Sequence, residues 1–164
     1  LLPEKGDIYL FGKCTKTLNQ ENKINIRRHA ISFIFQDFQL IECLSALDNV
    51  ILPGKIRDDE DSKLKALDAL EQVGMSHRLS HYPHQLSGGE KQRVAIARSI
   101  AQSPQILFAD EPTGNIDESR SQDILNYLFT GLDNTTIVLV THDHNCVQRC
   151  DVVYKLHNGH CTNA

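Results

Sequence analysis

Short apolar runs alternate with longer amphipathic stretches along most of the chain. Three runs, residues 29–35, 106–109 and 136–140, are four to seven residues long and rich in β-branched or aromatic side chains. Runs of this kind are typical of strands in a parallel sheet that helices cover on both faces. Between them, apolar residues recur at helical spacing over 64–73, 94–101 and 119–128. The pattern predicts an α/β fold with a mainly parallel sheet and right-handed crossovers.

Glycine, proline and asparagine mark the remaining boundaries. They predict a short strand over Gly6–Gly12, a polar loop with one helical turn over Leu18–Arg28, a short helix over Ser45–Val50 that Pro53-Gly54 ends, a helix C-cap at Gly74, and a hairpin turn at Asn158-Gly159 after a strand over Asp151–Leu156.

The middle of the chain differs from its two ends. Residues 37–85 predict helices and a solvated acidic run, Asp58–Asp61, without a strand. We therefore expect one domain, in which an α/β core of residues 1–36 and 86–164 carries a helical insertion of residues 37–85.

Composition narrows the class of protein. Seventeen Lys and Arg against 21 Asp and Glu give a net charge of −4, which argues against a nucleic-acid-binding surface. No apolar run has the length of a membrane span, and no signal-peptide pattern opens the chain. The chain begins Leu1-Leu2-Pro3 without a methionine, so we expect it to be a piece of a longer protein.

The five cysteines are scattered and odd in number, which suits a reducing compartment better than a disulfide framework. His142, His144, Cys146 and Cys150 crowd together and raise the alternative of a metal site. The usual zinc spacing, with a C-x-x-C pair and a second distant pair, does not occur, so we do not favour it.

The stretch Leu86-Ser87-Gly88-Gly89-Glu90-Lys91-Gln92-Arg93 is the clearest candidate for chemistry. Ser87 and Glu90 have the spacing of a capping box at a helix start. Two glycines let backbone amides approach an anion closely, and the helix N-terminus favours negative charge. The stretch therefore predicts a phosphate site, although a well-capped helix without a ligand would show the same residues.

Polar residues follow the three predicted buried strands, where a parallel sheet binds ligands. Asp110 suits Mg²⁺, which prefers hard oxygen ligands, and Glu111 suits a general base that polarises water. Gln36 can hold a water and touch the metal, and His142 can donate to a phosphate. Each has a structural alternative: Asp110 and Glu111 can cap a helix, Gln36 and His142 can be ordinary strand-end residues, and Asp117 fits a turn.

Taken in order along the chain, these residues resemble those of ATP-binding cassette (ABC) ATPases, and the resemblance runs from about Gly6 to Gly159. It implies a P-loop NTPase (RecA-like) parallel-sheet core, incomplete at the N-terminus, with an inserted α-helical subdomain. It also implies ATP and Mg²⁺ as cofactors, and an ATPase dimer, of identical or different subunits, that drives a membrane permease from the cytoplasmic face of the membrane.

The resemblance assigns a role to each residue. It implies that Asp110 and Gln36 bind magnesium, Gln36 also senses the permease, Glu111 activates water, His142 contacts the γ-phosphate, Ser87, Gly88, Gly89 and Glu90 close over the ATP of the opposite subunit, and Asp117 communicates between subunits.

Three segments are similar to one group within that family. Phe35–Leu40, Asp48–Pro53 and Asp110–Asn115 resemble the subunits that serve lipoprotein release, macrolide-type export and cell-division transporters. From this resemblance we expect export as the direction of transport.

One motif of the family is missing. The sequence contains no G-x-x-x-x-G-K-[ST] loop, whose backbone amides and lysine cradle phosphates. We therefore expect the 164 residues to be inactive by themselves, and to lack a central strand, which would leave apolar surface uncovered and a sheet edge unpaired.

Two alternatives stay open. A soluble ABC-type ATPase outside transport would carry the same motifs. A truncated partner-binding module would bind without turnover, but such a chain would have no chemical need for Glu111 or His142.

Overall fold

A computed structural model describes residues 3–113, 118–132, 134–142 and 144–163. At its centre lies a parallel sheet of three strands in the order β3 (Ile31–Ile34), β4 (Ile106–Asp110) and β5 (Thr136–Val140). Ile34 pairs with Ala109, and Asp110 pairs with Val140. The predicted parallel α/β architecture is confirmed.

Helices and two hairpins surround this sheet. The helices are α1 (Gln20–Ala30), α2 (Ala46–Ile56), α3 (Ser62–Gln72), α4 (Gly88–Ile100), α5 (Glu118–Thr130) and the short α6 (His144–Val147). The antiparallel hairpins are β1 (Tyr9–Leu10) with β2 (Lys13–Cys14), and β6 (Tyr154–His157) with β7 (His160–Asn163). We call α2, α3 and the turns that follow them, residues 46–85, the helical unit.

One hydrophobic core joins the helical unit to the sheet through α4. Apolar side chains of α2, α3, α4 and α5 pack with those on one face of β3 and β4; the fully enclosed ones include Ile34, Val50, Leu70, Val94, Ile96, Leu107 and Leu128. A buried polar contact adds to this packing, because the Ser32 hydroxyl of β3 donates to Ser99 Oγ of α4 at 3.1 Å. Helix α4 therefore ties the two parts of the fold together.

The opposite face of the sheet is open in the described part of the chain. Phe33, Val138 and Val140 are 41%, 41% and 58% exposed, and the Phe33 ring stacks on Phe35 and Phe108. The prediction that helices cover both faces is therefore wrong here. The prediction of uncovered apolar surface is confirmed, and β5 is an edge strand among the described strands.

Two helix predictions were also wrong. Residues 20–30 form a full helix rather than a loop, capped by Asn19, which accepts from the Asn22 amide at 2.8 Å. Helix α2 continues through Pro53 to Ile56. The buried Val50 and Ile51 anchor it in the core, and Gly54 packs so closely on Ser62 of α3 that an added Cβ would lie 2.5 Å from the Ser62 Cβ. Packing thus outweighs the hydrogen bond that proline removes.

Candidate functional site

The ends of β3, β4 and β5 bring the predicted polar residues to one edge of the sheet. Because Ile34 lies beside Ala109 in register, Gln36 and Glu111 leave their strands at the same level. Val140 pairs with Asp110, so His142 follows at the neighbouring position. Residues separated by about 30 or more positions in sequence therefore meet at the carboxyl edge, where parallel sheets bind ligands.

Glu111 has an unusual backbone conformation. Its φ is +44°, in the left-handed region, and its amide donates to the Val140 carbonyl at 2.9 Å. A non-glycine residue in this region costs roughly 1 kcal/mol or more, and persists where the surroundings fix it. The turn ties the end of β4 to the end of β5.

The Glu111 carboxylate contacts two side chains that follow β5. His142 Nδ1 lies 2.7 Å from Oε1, and the Thr141 hydroxyl donates to Oε2 at 3.5 Å. The Glu111 side chain is 19% exposed and that of His142 is 82% exposed. Since an ionised carboxylate only accepts hydrogen bonds, Nδ1 carries the proton in this contact. The pair thus combines a half-buried carboxylate with an exposed imidazole.

The neighbouring strand ends offer oxygen ligands. Asp110 ends β4 with an exposed carboxylate, and Gln36 is exposed two residues after β3. Within the described residues, no group of three or more His, Cys, Asp or Glu side chains is placed to hold a metal ion. A cation at this edge would therefore depend on one carboxylate, one amide oxygen and ligands from elsewhere, as Mg²⁺ commonly does.

The loop after Gln36 is fastened to α4 by one arginine. Phe38 and Gln39 have φ of +63° and +44°, and their carbonyls accept from the Arg98 guanidinium at 2.9 and 2.7 Å. Burial lowers the pKa of Arg98 from its usual value. Sequence reasoning missed Arg98, because nothing in the local pattern separates it from an ordinary surface arginine.

A buried asparagine fixes the segment that follows this loop. Asn49 is 1% exposed; its Oδ1 accepts from the Ile41 amide at 2.8 Å, and its Nδ2 donates to the carbonyls of Ile41, Leu44 and Ser45. The loop that begins at Gln36 is therefore held at both ends, by α4 and by α2.

The start of α4 confirms the predicted capping box. Ser87 Oγ accepts from the Glu90 amide at 3.3 Å, and Glu90 Oε2 accepts from the Ser87 amide at 2.8 Å. Two of the first amides of the helix are thus satisfied, whereas those of Gly88 and Gly89 have no intrahelical acceptor. Because Ser87 Oγ acts as an acceptor, its own proton stays available. The exposed end of α4 therefore offers three donors to an anion.

Both oxygens of Glu90 are engaged within the chain. Oε1 accepts from Arg78 Nε at 2.9 Å, while Oε2 closes the capping box. The hydrogen bond from the Ser87 amide, followed by the Arg78 contact, lowers the pKa of Glu90 to about 2.

Asp117, the last predicted site residue, lies outside the described residues.

No helix among the described residues is long and apolar enough to cross a bilayer.

Comparison with known proteins gives the family. Residues 1–114 match the ABC transporter family. The chain is 41% identical over 160 residues to the lipoprotein-releasing system ATP-binding protein LolD of Treponema denticola, covering 95% of this chain and 71% of that protein.

Two further similarities point the same way. The macrolide export ATP-binding/permease protein MacB of Chlorobium luteolum is 41% identical over 159 residues, which cover 96% of this chain and 24% of that protein. A dimeric post-hydrolysis structure of the ATP-binding cassette MJ0796 bound to ADP and Pi superposes with a TM-score of 0.85 at 36% identity, over 96% of this chain and 72% of that one. The chain therefore belongs to the ABC transporter family as an ATP-binding ATPase domain, close to the LolD and MacB type.

Proposed function

We propose that the described residues supply two separate halves of an ATP site, which act on different nucleotides in a dimer. The first half is the strand edge with Gln36, Asp110, Glu111 and His142. The second is the start of α4. The contact between Glu111 and His142, 2.7 Å from Oε1 to Nδ1, carries the proposal, because it joins a base and a proton donor at the ligand-binding edge.

The strand-edge half performs the chemistry in this proposal. Glu111 polarises the attacking water, and its left-handed backbone and its contacts to β5 keep the carboxylate in place. While His142 Nδ1 donates a hydrogen bond to Glu111, a second hydrogen bond from its Nε2 to the γ-phosphate requires a doubly protonated ring. Asp110 and Gln36 would hold Mg²⁺, which neutralises phosphate charge in phosphoryl transfer to water.

The second half acts on a nucleotide that another subunit holds. Ser87, Gly88 and Gly89 are exposed or half-buried at the start of α4, and their three available donors suit a phosphate. The solved relative named above is a dimer with ADP and Pi, which supports this arrangement. In this proposal Glu90 shapes the donors without touching the nucleotide, and Asp117 communicates between subunits.

In this proposal, a permease is the partner that uses the free energy of ATP binding and hydrolysis. A groove of about 460 Å³ runs between α1, β3, α2 and α4, next to the loop that follows Gln36. Its lining combines apolar side chains with Arg27 and Arg28, which suits an amphipathic helix with acidic ends. The MacB relative is named as an ATP-binding/permease protein, so one protein carries both functions there. We propose docking at this groove, at the cytoplasmic face of the membrane, for export.

The 164 residues contain no glycine-rich phosphate loop of the G-x-x-x-x-G-K-[ST] form. Turnover in this proposal needs such a loop, so the test uses the natural full-length gene product. Glu111→Gln should lower phosphate release at least 100-fold, the range of a lost general base, while ATP-dependent association of subunits persists.

The exposed carboxylate of Glu71 on α3 provides a matched control. Glu71→Gln should leave phosphate release within twofold of the reference. Full turnover by the Glu111→Gln protein would refute the assignment of the base. Absence of ATP-dependent association in every variant would refute the composite site.

A further inference from the structure

The start of α4 combines a predicted phosphate site with a negative charge. Glu90 is the third residue of the helix, in the same turn as the Gly88 and Gly89 amides. An acidic residue in the first helical turn competes with an incoming anion for the same positive potential. A carboxylate ionised throughout the physiological range therefore opposes phosphate binding unless another group cancels its charge.

Arg78 is placed to cancel it. The guanidinium Nε donates to Glu90 Oε1 at 2.9 Å, and the Glu90 side chain is 14% exposed against 36% for Arg78. Arg78 binds only Oε1, because the other carboxylate oxygen, Oε2, accepts a hydrogen bond from the Ser87 amide at 2.8 Å. One carboxylate thus closes the helix cap and accepts the arginine at the same time.

The position of Arg78 is itself fixed by the helical unit. Its amide donates to the Met75 carbonyl at 2.9 Å, its carbonyl accepts from the His81 amide at 2.9 Å, and its NH1 lies 3.0 Å from His81 Nε2. The His81 carbonyl in turn accepts from the amide of Ala46 at the start of α2. Arg78 is therefore anchored on backbone that does not belong to α4.

We propose that Arg78 is a positioning residue that neutralises Glu90, so that the start of α4 can accept the phosphates of a nucleotide held by a second subunit. This inference rests on the proposed function. The inference extends the proposed function, because the affinity of the phosphate site then depends on the ion pair between Arg78 of the helical unit and Glu90 of α4. A movement that separates Arg78 from Glu90 would weaken nucleotide capture without altering the donors themselves.

A double-mutant cycle separates this role from simple support of the helix. Arg78→Ala leaves Glu90 charged and unpaired, and should raise the ATP concentration for half-maximal subunit association about tenfold, the scale of one unscreened charge near a binding site. Glu90→Gln keeps a side-chain oxygen for the Ser87 amide but leaves the Arg78 charge unpaired, and should lower that ATP concentration by up to about tenfold.

The decisive variant combines the two changes. In Arg78→Ala with Glu90→Gln neither charge remains, so the ATP concentration for half-maximal association should return to within threefold of the reference. Light scattering over an ATP titration measures this on the natural full-length protein carrying Glu111→Gln, and circular dichroism checks folding. Lys65→Ala breaks another ion pair of the helical unit, 2.7 Å from Lys65 Nζ to Asp59 Oδ2, and should have no effect.

The results of these variants decide whether Arg78 acts by neutralising the charge of Glu90. A double variant as weak as Arg78→Ala, or an Arg78→Ala protein equal to the reference, overturns the inference. Should Arg78→Ala not fold, Arg78→Lys with its charge retained and Arg78→Gln without it make the same comparison, and equal affinities overturn the inference. A reference that never associates with ATP refutes the proposed function, and this inference with it.

Discussion

His142 Nδ1 and Glu111 Oε1 lie 2.7 Å apart, although 31 positions separate the two residues in the sequence. The contact exists because parallel pairing of β4 and β5 sets Asp110 beside Val140, so that the next residues of both strands turn toward each other. If Glu111 and His142 have the proposed roles, the loss of either side chain should slow the chemical step.

His142→Ala in the natural full-length protein should therefore lower kcat about 100-fold with a smaller change in KM, as expected for a proton donor in the transition state. Steady-state phosphate release measures both constants. The exposed His157 on the β6–β7 hairpin is a matched control, and His157→Ala should leave both constants unchanged. An equal loss in the two variants would contradict the assigned role.

Arg98→Leu should destabilise the fold by about 1.5–3 kcal/mol, because it leaves the carbonyls of Phe38 and Gln39 without their charged donor. Urea unfolding measures the free energy. Arg93→Leu changes the same helix at a half-buried position and should cost less than about 0.5 kcal/mol, as most surface changes do. Equal costs would show that charge, rather than the carbonyl contacts, matters.

Two glycine substitutions should separate folding from function. Gly54→Ala should cost about 1–3 kcal/mol of stability, because its Cβ would lie 2.5 Å from that of Ser62. Gly89→Ala meets only the Arg93 NH1 at 4.0 Å, so stability should hold or rise by up to about 1 kcal/mol from helix propensity.

ATP-dependent association should respond in the reverse order, because a methyl group at residue 89 stands beside the proposed phosphate donors. It should weaken severely in Gly89→Ala and stay intact in folded Gly54→Ala. Thermal unfolding and the ATP titration measure the two properties side by side. A Gly89→Ala protein that associates normally would remove this turn from the phosphate site.

Stability should fall in acid through Glu90. Its pKa is lowered from 4.5 to about 2 by the Ser87 amide and by Arg78. The stabilisation is therefore fully present above about pH 5 and is lost as the pH falls toward 2. We expect the free energy of unfolding of the wild type to exceed that of Glu90→Gln by about 1–2 kcal/mol at pH 7, after allowance for screening by water, and the difference to be lost as the pH falls through about 2. Urea unfolding of both proteins across this range measures it.

Local signals in the sequence predicted much of this fold. Ser87 and Glu90 form their capping box, Gly74 takes the left-handed C-cap conformation with φ of +69°, and Asn158-Gly159 makes the hairpin turn with φ of +49° and +76°. Each feature depends on residues within a few positions of one another. The strand over 136–140 was also predicted with its bounds, since its apolar residues are continuous.

Long-range packing explains what the sequence did not reveal. Helix α1 is polar over most of its length and buries only Ala30, so no apolar stripe marked it as a helix. Pro53 predicted the end of a helix, but packing in the core lets α2 continue to Ile56. For the site, the residue types at the strand ends were predictable, whereas Arg78 and Arg98 act through partners 12 and about 60 positions away.

The Ser32–Ser99 contact joins α4 to β3 near the end of the helix that lies opposite the capping box. From Ser99 to Ser87 the helix axis measures about 18 Å at 1.5 Å per residue. A tilt of about 5° around that contact would carry the helix start through about 1.6 Å, enough to make or break a hydrogen bond. Arg98 adjoins that contact and binds the Gln39 carbonyl, so a single helix connects the loop after Gln36 with the proposed phosphate donors.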